Sequence, residues 1–252
     1  VTAADPWDEV SSSFIFTVAH FGSLFQGGTG TEETPWQIST PAQLALMSLS
    51  LESHYELIND IDLGGDNPAG PFWHAGEGWQ PIGDFDSRFS GSFNGGNSSI
   101  VGLYIDRTET YQGLFGMMGL GASVSNLSLK HVDVTGTVFI GSLSGSYNGA
   151  VIDNVHAEGQ VHGINDVGGL VGSSNSSVSN SSAKVTVTGG TGVGGLVGTL
   201  AANTIRNSHA SGAVTGQSSV GGLVGHARFG MITESYAAGT VVGFGDGIGG
   251  LV

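Results

Sequence analysis

Apolar and polar residues alternate in short runs along most of the chain, for example at residues 151–157, 185–188 and 232–237. Alternation with a period of two indicates a half-buried β-strand, and the region shows no 3.6-residue period of an amphipathic helix. Glycine, asparagine and serine separate the runs and supply the positive φ angles that tight corners need. The pattern therefore predicts short strands joined by sharp turns.

A signal that resembles Gly-Leu-x-Gly recurs six times, and three copies read V-G-G-L-V-G, at residues 167–172, 193–198 and 220–225. Columns of asparagine and alanine keep the same spacing of roughly 27 residues, which is typical of stacked repeats. The asparagine column is Asn126, Asn154, Asn180 and Asn207. The leucines of the repeat are Leu114, Leu143, Leu170, Leu196, Leu223 and Leu251. We expect Leu143, Leu170, Leu196 and Leu223 to form one inward stack.

These repeats predict an all-β fold, a parallel β-solenoid (β-helix) of about six coils with a period of about 27 residues. A lone coil would bury about five aliphatic side chains at roughly 1.5–3 kcal/mol each, whereas ordering each residue costs about 1–2 kcal/mol. Stacking of the coils must therefore supply the remaining stabilising free energy. A β-sandwich is the alternative, but sandwiches do not require identical columns.

The first third of the chain has a different pattern, and we divide the chain into residues 1–28, 29–83 and 84–252. Residues 1–28 form a Phe-rich strand or extension. Residues 29–83 form an N-terminal capping module with one short α-helix near residues 41–53, where Thr40 is the N-cap and Pro41 the first helical residue. Residues 84–252 form the solenoid, whose open end would otherwise expose unpaired backbone.

Composition limits the possible functions. The 252 residues include 45 glycines and no cysteine, and the net charge is −15. Such an acidic surface repels phosphate backbones and anionic lipids, so we expect no nucleic-acid partner. No apolar run reaches the roughly 18 residues of a membrane span. The start at Val1 is typical of a processed or trimmed chain, and we expect a secreted or cell-surface protein.

The order of several motifs resembles the GLUG-motif proteins. The motifs are T-P-W-Q-I-S-T-P-A-Q-L (34–44), N-D-I-D-L (59–63), W-Q-P-I-G (79–83), F-S-G-S-F-N-G (89–95) and the V-G-G-L-V-G copies. The resemblance implies a β-solenoid in a secreted or cell-surface, adhesin-like protein of a bacterium or archaeon. GLUG repeats also accompany IgA-cleaving metallopeptidases that carry a zinc motif in a separate domain. This chain has no H-E-x-x-H motif, so that activity does not carry over.

Candidate metal ligands are few. His156 and His209 hold equivalent repeat positions two coils apart, about 9.6 Å, which is too far for a shared zinc ion. Ca²⁺ is the one cofactor considered, with candidate ligands Asp60, Asp62 and Asp66. Turn capping by these side chains is the favoured alternative, because EF-hand spacing is absent.

Candidate catalytic groups are also few, and we expect no catalysis. Asp84 with Asp86 and Asp153 with Glu158 are the only loose carboxylate pairs for a hydrolase. Residues 190–195 match G-x-G-x-x-G, but no βαβ unit surrounds them, so a nucleotide site is excluded. We also expect no grouping of a nucleophile, a histidine and an acid.

The sequence therefore favours an extracellular structural or interaction protein, such as an adhesin stalk or a subunit of a self-assembling surface fibre. The first alternative is a carbohydrate-active β-helix enzyme or a glycan-binding module. The second is an ice-binding solenoid, suggested by Thr135, Thr188 and Thr215, although His162 and Val242 interrupt that column. Host surface, glycan and matrix are possible partners.

Head-to-tail self-association is a further expectation. The chain stops inside its sixth repeat signal, and the Phe-rich N-terminal strand could dock on that open end by strand addition. The alternative is that residue 252 is only the point at which a longer chain was cut. The candidate assembly residues are Phe14, Phe16, Phe21 and Phe25. Four asparagines begin N-x-S sequons, which matter if the source glycosylates its proteins; they are Asn97, Asn126, Asn175 and Asn180.

Overall fold

The computed structural model describes residues 22–67, 69–70, 72 and 74–252, and it confirms the predicted parallel β-solenoid. Nineteen of its strands wind into one sheet and five form a second sheet. The strands pair in parallel from coil to coil, as the repeat period requires. Phe14, Phe16 and Phe21 lie outside the described residues.

The N-terminal third contains a short helix and the first six strands. The helix is α1 (Pro41–Ala45), followed by a 3₁₀ turn at Leu46–Leu49, and a second 3₁₀ turn lies at His74–Gly76. The strands are β1 (Trp36–Ile38), β2 (Tyr55–Leu57), β3 (Ile61–Asp62), β4 (Ser92–Asn94), β5 (Ser99–Val101) and β6 (Tyr104–Asp106).

The repeat region contains the remaining strands, and the longest of them bend around coil corners. The first part comprises β7 (Phe115–Met118), β8 (Ser123–Thr135), β9 (Val138–Ile140), β10 (Ser144–His162), β11 (Asn165–Gly168), β12 (Val171–Ser179), β13 (Ser182–Thr188) and β14 (Thr191–Gly194). The last two coils comprise β15 (Val197–Leu200), β16 (Thr204–Arg206), β17 (His209–Ala210), β18 (Val214–Gly216), β19 (Ser218–Gly221), β20 (Val224–Ala227), β21 (Met231–Thr233), β22 (Tyr236–Ala237), β23 (Val241–Gly243) and β24 (Ile248–Gly249).

Helix α1 begins where the sequence predicts. Thr40 Oγ1 accepts a hydrogen bond from the Gln43 N–H at 3.2 Å, and Pro41 occupies the first turn, where its missing N–H is harmless. The helix is shorter than the expected span to residue 53. The chain must leave it to bring Tyr55 into the sheet, and the Tyr55 hydroxyl then donates to the Ser50 carbonyl at 2.7 Å.

The module expected to cap the solenoid is continuous with the solenoid sheet. Trp36 pairs with Tyr55, Tyr55 with Phe93, and Phe93 with Val124. Within the described part of the chain the stack therefore begins at β1, because residues 55–63 have the same inward–outward alternation as the repeats. Phe25 packs on this end, 7% exposed and with its ring centroid 5.4 Å from that of Trp36. It belongs to the protein's own core and is not exposed for an assembly contact.

The repeat leucines lie at one corner of the coils. The Leu196 N–H donates to the Leu223 carbonyl at 2.9 Å, and the Leu170 N–H donates to the Leu196 carbonyl at 2.9 Å. Leu251, in the last described coil, is 39% exposed. The fully buried members are Leu114, Leu143, Leu170, Leu196 and Leu223.

The glycine before each of the later repeat leucines is required by close packing between coils. A Cβ atom on Gly195 would collide with the carbonyl oxygen of Gly222, and one on Gly222 would collide with the carbonyl oxygen of Gly250. Neighbouring coils lie about 4.8 Å apart, so no side chain fits at this corner. This contact explains the Gly-Gly-Leu part of the motif.

The asparagine column forms a second corner. All four residues have positive φ angles of 48–54°, a left-handed conformation that asparagine tolerates better than most residues. Their amides bond from coil to coil: Asn154 Nδ2 donates to Asn126 Oδ1 at 2.9 Å, and Asn207 Nδ2 donates to Asn180 Oδ1 at 2.7 Å. The column therefore satisfies side-chain polar groups while it turns the chain.

Candidate functional site

A column of polar side chains runs up one outward face beside the asparagine corner. Parallel pairing places His156 against Ser182, and Ser182 against His209. His156 Nδ1 lies 2.8 Å from Ser182 Oγ, and its Nε2 lies 3.1 Å from Asn154 Oδ1. Because a carbonyl oxygen only accepts, Nε2 carries the proton and Nδ1 accepts from the serine hydroxyl.

This Ser182–His156–Asn154 chain resembles a nucleophile–base pair, and a second serine–histidine pair has the same distance, 2.8 Å between His54 Nδ1 and Ser92 Oγ. The sequence suggested no such grouping, because Ser182 and His156 are 26 residues apart and only the coil register joins them. Burial lowers the pKa of His156, and the nearby His209 lowers it further. The imidazole is therefore neutral near pH 7, as a general base must be.

Other features of a serine hydrolase are missing around these three residues. The third partner is the neutral amide of Asn154, whereas a triad uses a carboxylate to stabilise the imidazolium. The N–H of Ser181, beside the hydroxyl, is already bonded to Ser208 Oγ at 3.1 Å and is not available to an oxyanion. The hydrogen bonds instead tie three coils together.

His156 and His209 do not converge on one metal ion. A full coil separates His156 from His209, as the sequence indicates, and the His209 ring stacks on Tyr236 with centroids 4.9 Å apart. His162 faces Thr135 and Thr188 in its own column. Within the described ranges, no group of three or more His, Cys, Asp or Glu side chains could hold a metal ion.

Two of the three candidate calcium ligands accept hydrogen bonds from backbone N–H groups. Asp60 Oδ1 accepts from the Ser99 N–H at 2.7 Å, and Asp62 Oδ1 accepts from the Gly64 N–H at 2.8 Å. Asp66 is exposed in the following turn. Asp62 thus caps a turn, the alternative that the sequence favoured, whereas Asp60 bonds across to strand β5.

The two carboxylate pairs considered for a hydrolase also have structural partners. Asp84 Oδ1 accepts from the N–H groups of Asp86 and Ser87, at 2.9 and 2.7 Å. Asp153 Oδ1 accepts from Ser179 Oγ and Asn180 Nδ2, both at 2.6 Å. Glu158 forms an exposed ion pair with Lys184 at 3.3 Å. At least one carboxylate of each pair therefore accepts hydrogen bonds from neighbouring groups of the fold.

Two further sequence patterns, the G-x-G-x-x-G match and the threonine column, lie in strands of the solenoid. Thr191–Gly194, inside the G-x-G-x-x-G match, is strand β14 and continues into a sheet corner without a helix. The threonine column is in register, with Thr135 against His162 and Thr188 against Thr215. Val242 follows Thr215 in the same column, so the row of hydroxyls is interrupted.

A cleft of about 690 Å³ lies between the N-terminal module and the first repeat coil. Sequence reasoning missed it, because its walls come from two loops that only the tertiary structure brings together. Its floor and walls are formed by Ser48, Leu51, Gln80, Pro81, Gly83, Asp84, Phe85, Asp86, Ser87, Arg107, Glu109, Thr110, Tyr111 and Gln112.

Aromatic rings line one side of this cleft. Phe85 stacks on Tyr111 at 6.3 Å between centroids, and Tyr111 stacks on Phe139 at 5.1 Å. Phe85 is 57% exposed, and the Arg88 guanidinium lies 5.4 Å from its centroid. The side is therefore apolar but open to solvent.

Comparison with known proteins identifies the repeats. The family model of the GLUG motif matches residues 163–188, 189–215 and 216–242. A protein named as a Gly-rich membrane protein, from Evansella cellulosilytica, is 44% identical over 54% of this chain and 16% of its own length. Halomucin of Haloquadratum walsbyi is 37% identical over 70% of this chain and 2% of its own. An immunoglobulin A1 protease of Streptococcus sanguinis is 36% identical over 47% of this chain and 6% of its own.

This chain thus spans only a small part of these relatives. Among the described residues, none of the helices is long and apolar enough to cross a membrane. A crystal structure described as an immunoglobulin A1 protease from Bacteroides ovatus has the same fold, with a TM-score of 0.74 at 23% identity over 88% of this chain and 72% of that one. Residues 163–242 are therefore three consecutive GLUG motifs, each built as one coil of a parallel β-solenoid.

Proposed function

We propose that this chain is a non-catalytic segment of an extracellular surface protein and acts as a stiff β-solenoid spacer. The observation that carries the proposal is the continuous parallel register from Trp36 to Gly249, in which each coil hydrogen-bonds to the next. Eight rungs lie in the stack β1-β2-β4-β8-β10-β12-β16-β21. At about 4.8 Å per rung they span roughly 34 Å.

The relatives support an exterior location. Immunoglobulin A1 is an extracellular substrate, and another relative is named for a membrane. The net charge of −15 keeps a repeat surface soluble and discourages binding to anionic polymers. A spacer within a much longer surface protein fits the small fraction of each relative that this chain matches.

The absence of catalysis is tested with the substrates that the relatives and the fold suggest. The purified chain is incubated with immunoglobulin A1 and with neutral and acidic glycans, beside a boiled sample. We expect no turnover above the boiled sample. Saturable cleavage that disappears in Ser182→Ala would instead make the Ser182–His156 pair a catalytic site and refute the spacer role.

We also propose that copies of the chain self-associate. Two aromatic side chains in the last two described coils, Phe229 at 87% and Phe244 at 72%, are exposed and can bury against a second copy. A second copy would cover both. Light scattering after size exclusion should show mass rising with concentration, and Phe229→Ser with Phe244→Ser should abolish the rise.

The N-terminal contribution to stacking is tested by deleting residues 1–21. Phe25 must be kept, because it packs on Trp36 and Tyr55 and its loss would damage the core. Loss of assembly with an intact circular dichroism spectrum would assign the docking strand to residues 1–21. A full chain that stays monomeric at the highest attainable concentration would refute self-association.

A further inference from the structure

We infer that a groove on the outer surface of the later repeat coils binds a small zwitterion, such as a free amino acid, which carries one carboxylate and one ammonium group. The inference concerns a ligand site and goes beyond the spacer role, so either can fail without the other. The groove, which we call the repeat groove, has a volume of about 390 Å³. The lining residues that matter here are Asp166, Gly192, Thr199, Ser219, His226 and Arg228.

A column of left-handed residues forms one wall of the repeat groove. Asp166, Gly192 and Ser219 hold equivalent positions in three successive coils, between the paired residues of β11, β14 and β19. Their φ angles are 52°, 69° and 51°. In the two preceding coils this position carries Tyr111 and Phe139, whose rings stack with centroids 5.1 Å apart. The groove therefore lies where small side chains replace these rings.

Gly192 keeps the space beside two oxygen atoms free. A Cβ atom at this position would lie 2.9 Å from Asp166 Oδ1 and 3.2 Å from Thr199 Oγ1. Gly192 belongs to the G-x-G-x-x-G match at residues 190–195, and its positive φ also favours glycine. This part of the motif therefore leaves the floor of the groove open to a ligand.

Asp166 supplies a negative charge to the repeat groove. Its side chain is partly buried, and its Oδ1 accepts a hydrogen bond from Thr199 Oγ1 of the next coil. Its Oδ2 has no hydrogen-bond partner among the described residues. A ligand ammonium group that donates to Oδ2 would form a charge-assisted hydrogen bond there.

Arg228 supplies a positive charge to the same groove. Its backbone N–H donates to the Leu200 carbonyl at 3.0 Å, and its side chain is exposed. Within the described part of the chain its guanidinium has no hydrogen bond or ion pair. A guanidinium can donate two parallel hydrogen bonds to a carboxylate, which makes Arg228 the partner for the ligand's carboxylate.

The two charges together select the kind of ligand. Asp166 and Arg228 line one groove but form no ion pair with each other, so both are available to a ligand. An anion would be attracted by Arg228 but repelled by Asp166 and by the net charge of −15, and a cation would be repelled by Arg228. A zwitterion pairs with both groups. The groove volume lies within the roughly 300–1,000 Å³ of small-molecule sites.

The test uses the full chain and isothermal titration calorimetry with glycine, L-serine, L-asparagine and L-glutamine, four amino acids without net charge. We expect at least one of them to bind. The tightest is then compared with its N-acetyl derivative, which keeps only the carboxylate, and with its α-carboxamide, which keeps only the ammonium group. Each blocked form should bind about tenfold more weakly or worse, the equivalent of about 1.4 kcal/mol.

Two substitutions remove the charges one at a time. Asp166→Asn keeps an oxygen that can accept from Thr199 and suits the left-handed backbone, so its melting temperature should match that of the parent. Arg228→Gln changes an exposed side chain and should also fold normally. Each variant should weaken binding of the amino acid about tenfold. Asp166→Asn should not weaken binding of the N-acetyl derivative, and Arg228→Gln should not weaken binding of the carboxamide.

Arg206→Gln is the matched control, because Arg206 is an exposed arginine on β16 that does not line the repeat groove. Its affinity should equal that of the parent. Failure of all four amino acids to bind would overturn the inference, as would equal affinity in the parent, Asp166→Asn and Arg228→Gln. A blocked form that binds as tightly as the amino acid would also overturn it, because one charge would then be sufficient.

Discussion

Truncation of one stacked leucine measures how far each coil depends on its neighbours. Leu196 is fully buried, and its backbone is bonded to Leu170 on one side and Leu223 on the other. Leu196→Ala removes about three carbon groups, worth roughly 2.4 kcal/mol in transfer free energy at about 0.8 kcal/mol each. The two hydrogen-bonded coils hold the site open, so a cavity term adds to this, and we expect a total loss of about 3–5 kcal/mol.

The assay is urea-induced unfolding followed by circular dichroism, with Leu120→Ala as the control. Leu120 is 82% exposed, so its truncation should change the free energy of unfolding by less than about 0.5 kcal/mol. Repeat proteins can unfold in parts, so the transition midpoint and the slope are both compared. A Leu196→Ala variant that unfolds within about 1 kcal/mol of the parent would refute the idea that the coils form one interlocked core.

Three other predictions concern the repeat corners and their side chains. Gly195→Ala should destabilise the chain or prevent folding, because its Cβ would collide with the Gly222 carbonyl, whereas Gly250→Ala, with open space around it, should be tolerated in the same unfolding assay. The pKa of His156 lies below its ordinary 6.5, so the imidazole binds a proton more readily in the unfolded chain than in the folded one. The contribution of His156 to stability should therefore be full above about pH 6.5 and should fall as the pH drops below that value. Melting temperatures at pH 8 and pH 5 should differ less in His156→Gln than in the parent. In a secretion host that N-glycosylates, intact mass should show glycan on Asn97, in an exposed turn, and none on Asn126, whose amide bonds to Asn94; glycan on Asn126 would show that this corner opens.

Much of the fold could be predicted because the solenoid is periodic. Once the repeat length is known, residues one period apart must lie on neighbouring coils, and the alternation decides which of them face inward. This reasoning predicted the two-coil separation of His156 and His209 and the interrupted threonine column. The N-cap at Thr40 was also predictable, since it depends on a few adjacent residues.

The sequence alone determined the architecture: a parallel β-solenoid with leucine, asparagine and glycine corners, because every coil repeats the same local contacts. Only the tertiary structure decided what lies where the period breaks. The Phe25 position, the short helix and the cleft beside Gln112 depend on how non-repeating loops pack on the first coil, and no spacing rule relates residues 80–87 to residues 107–112. Likewise, the Ser182–His156 hydrogen bond required the side-chain rotamers, which the backbone register permits without specifying.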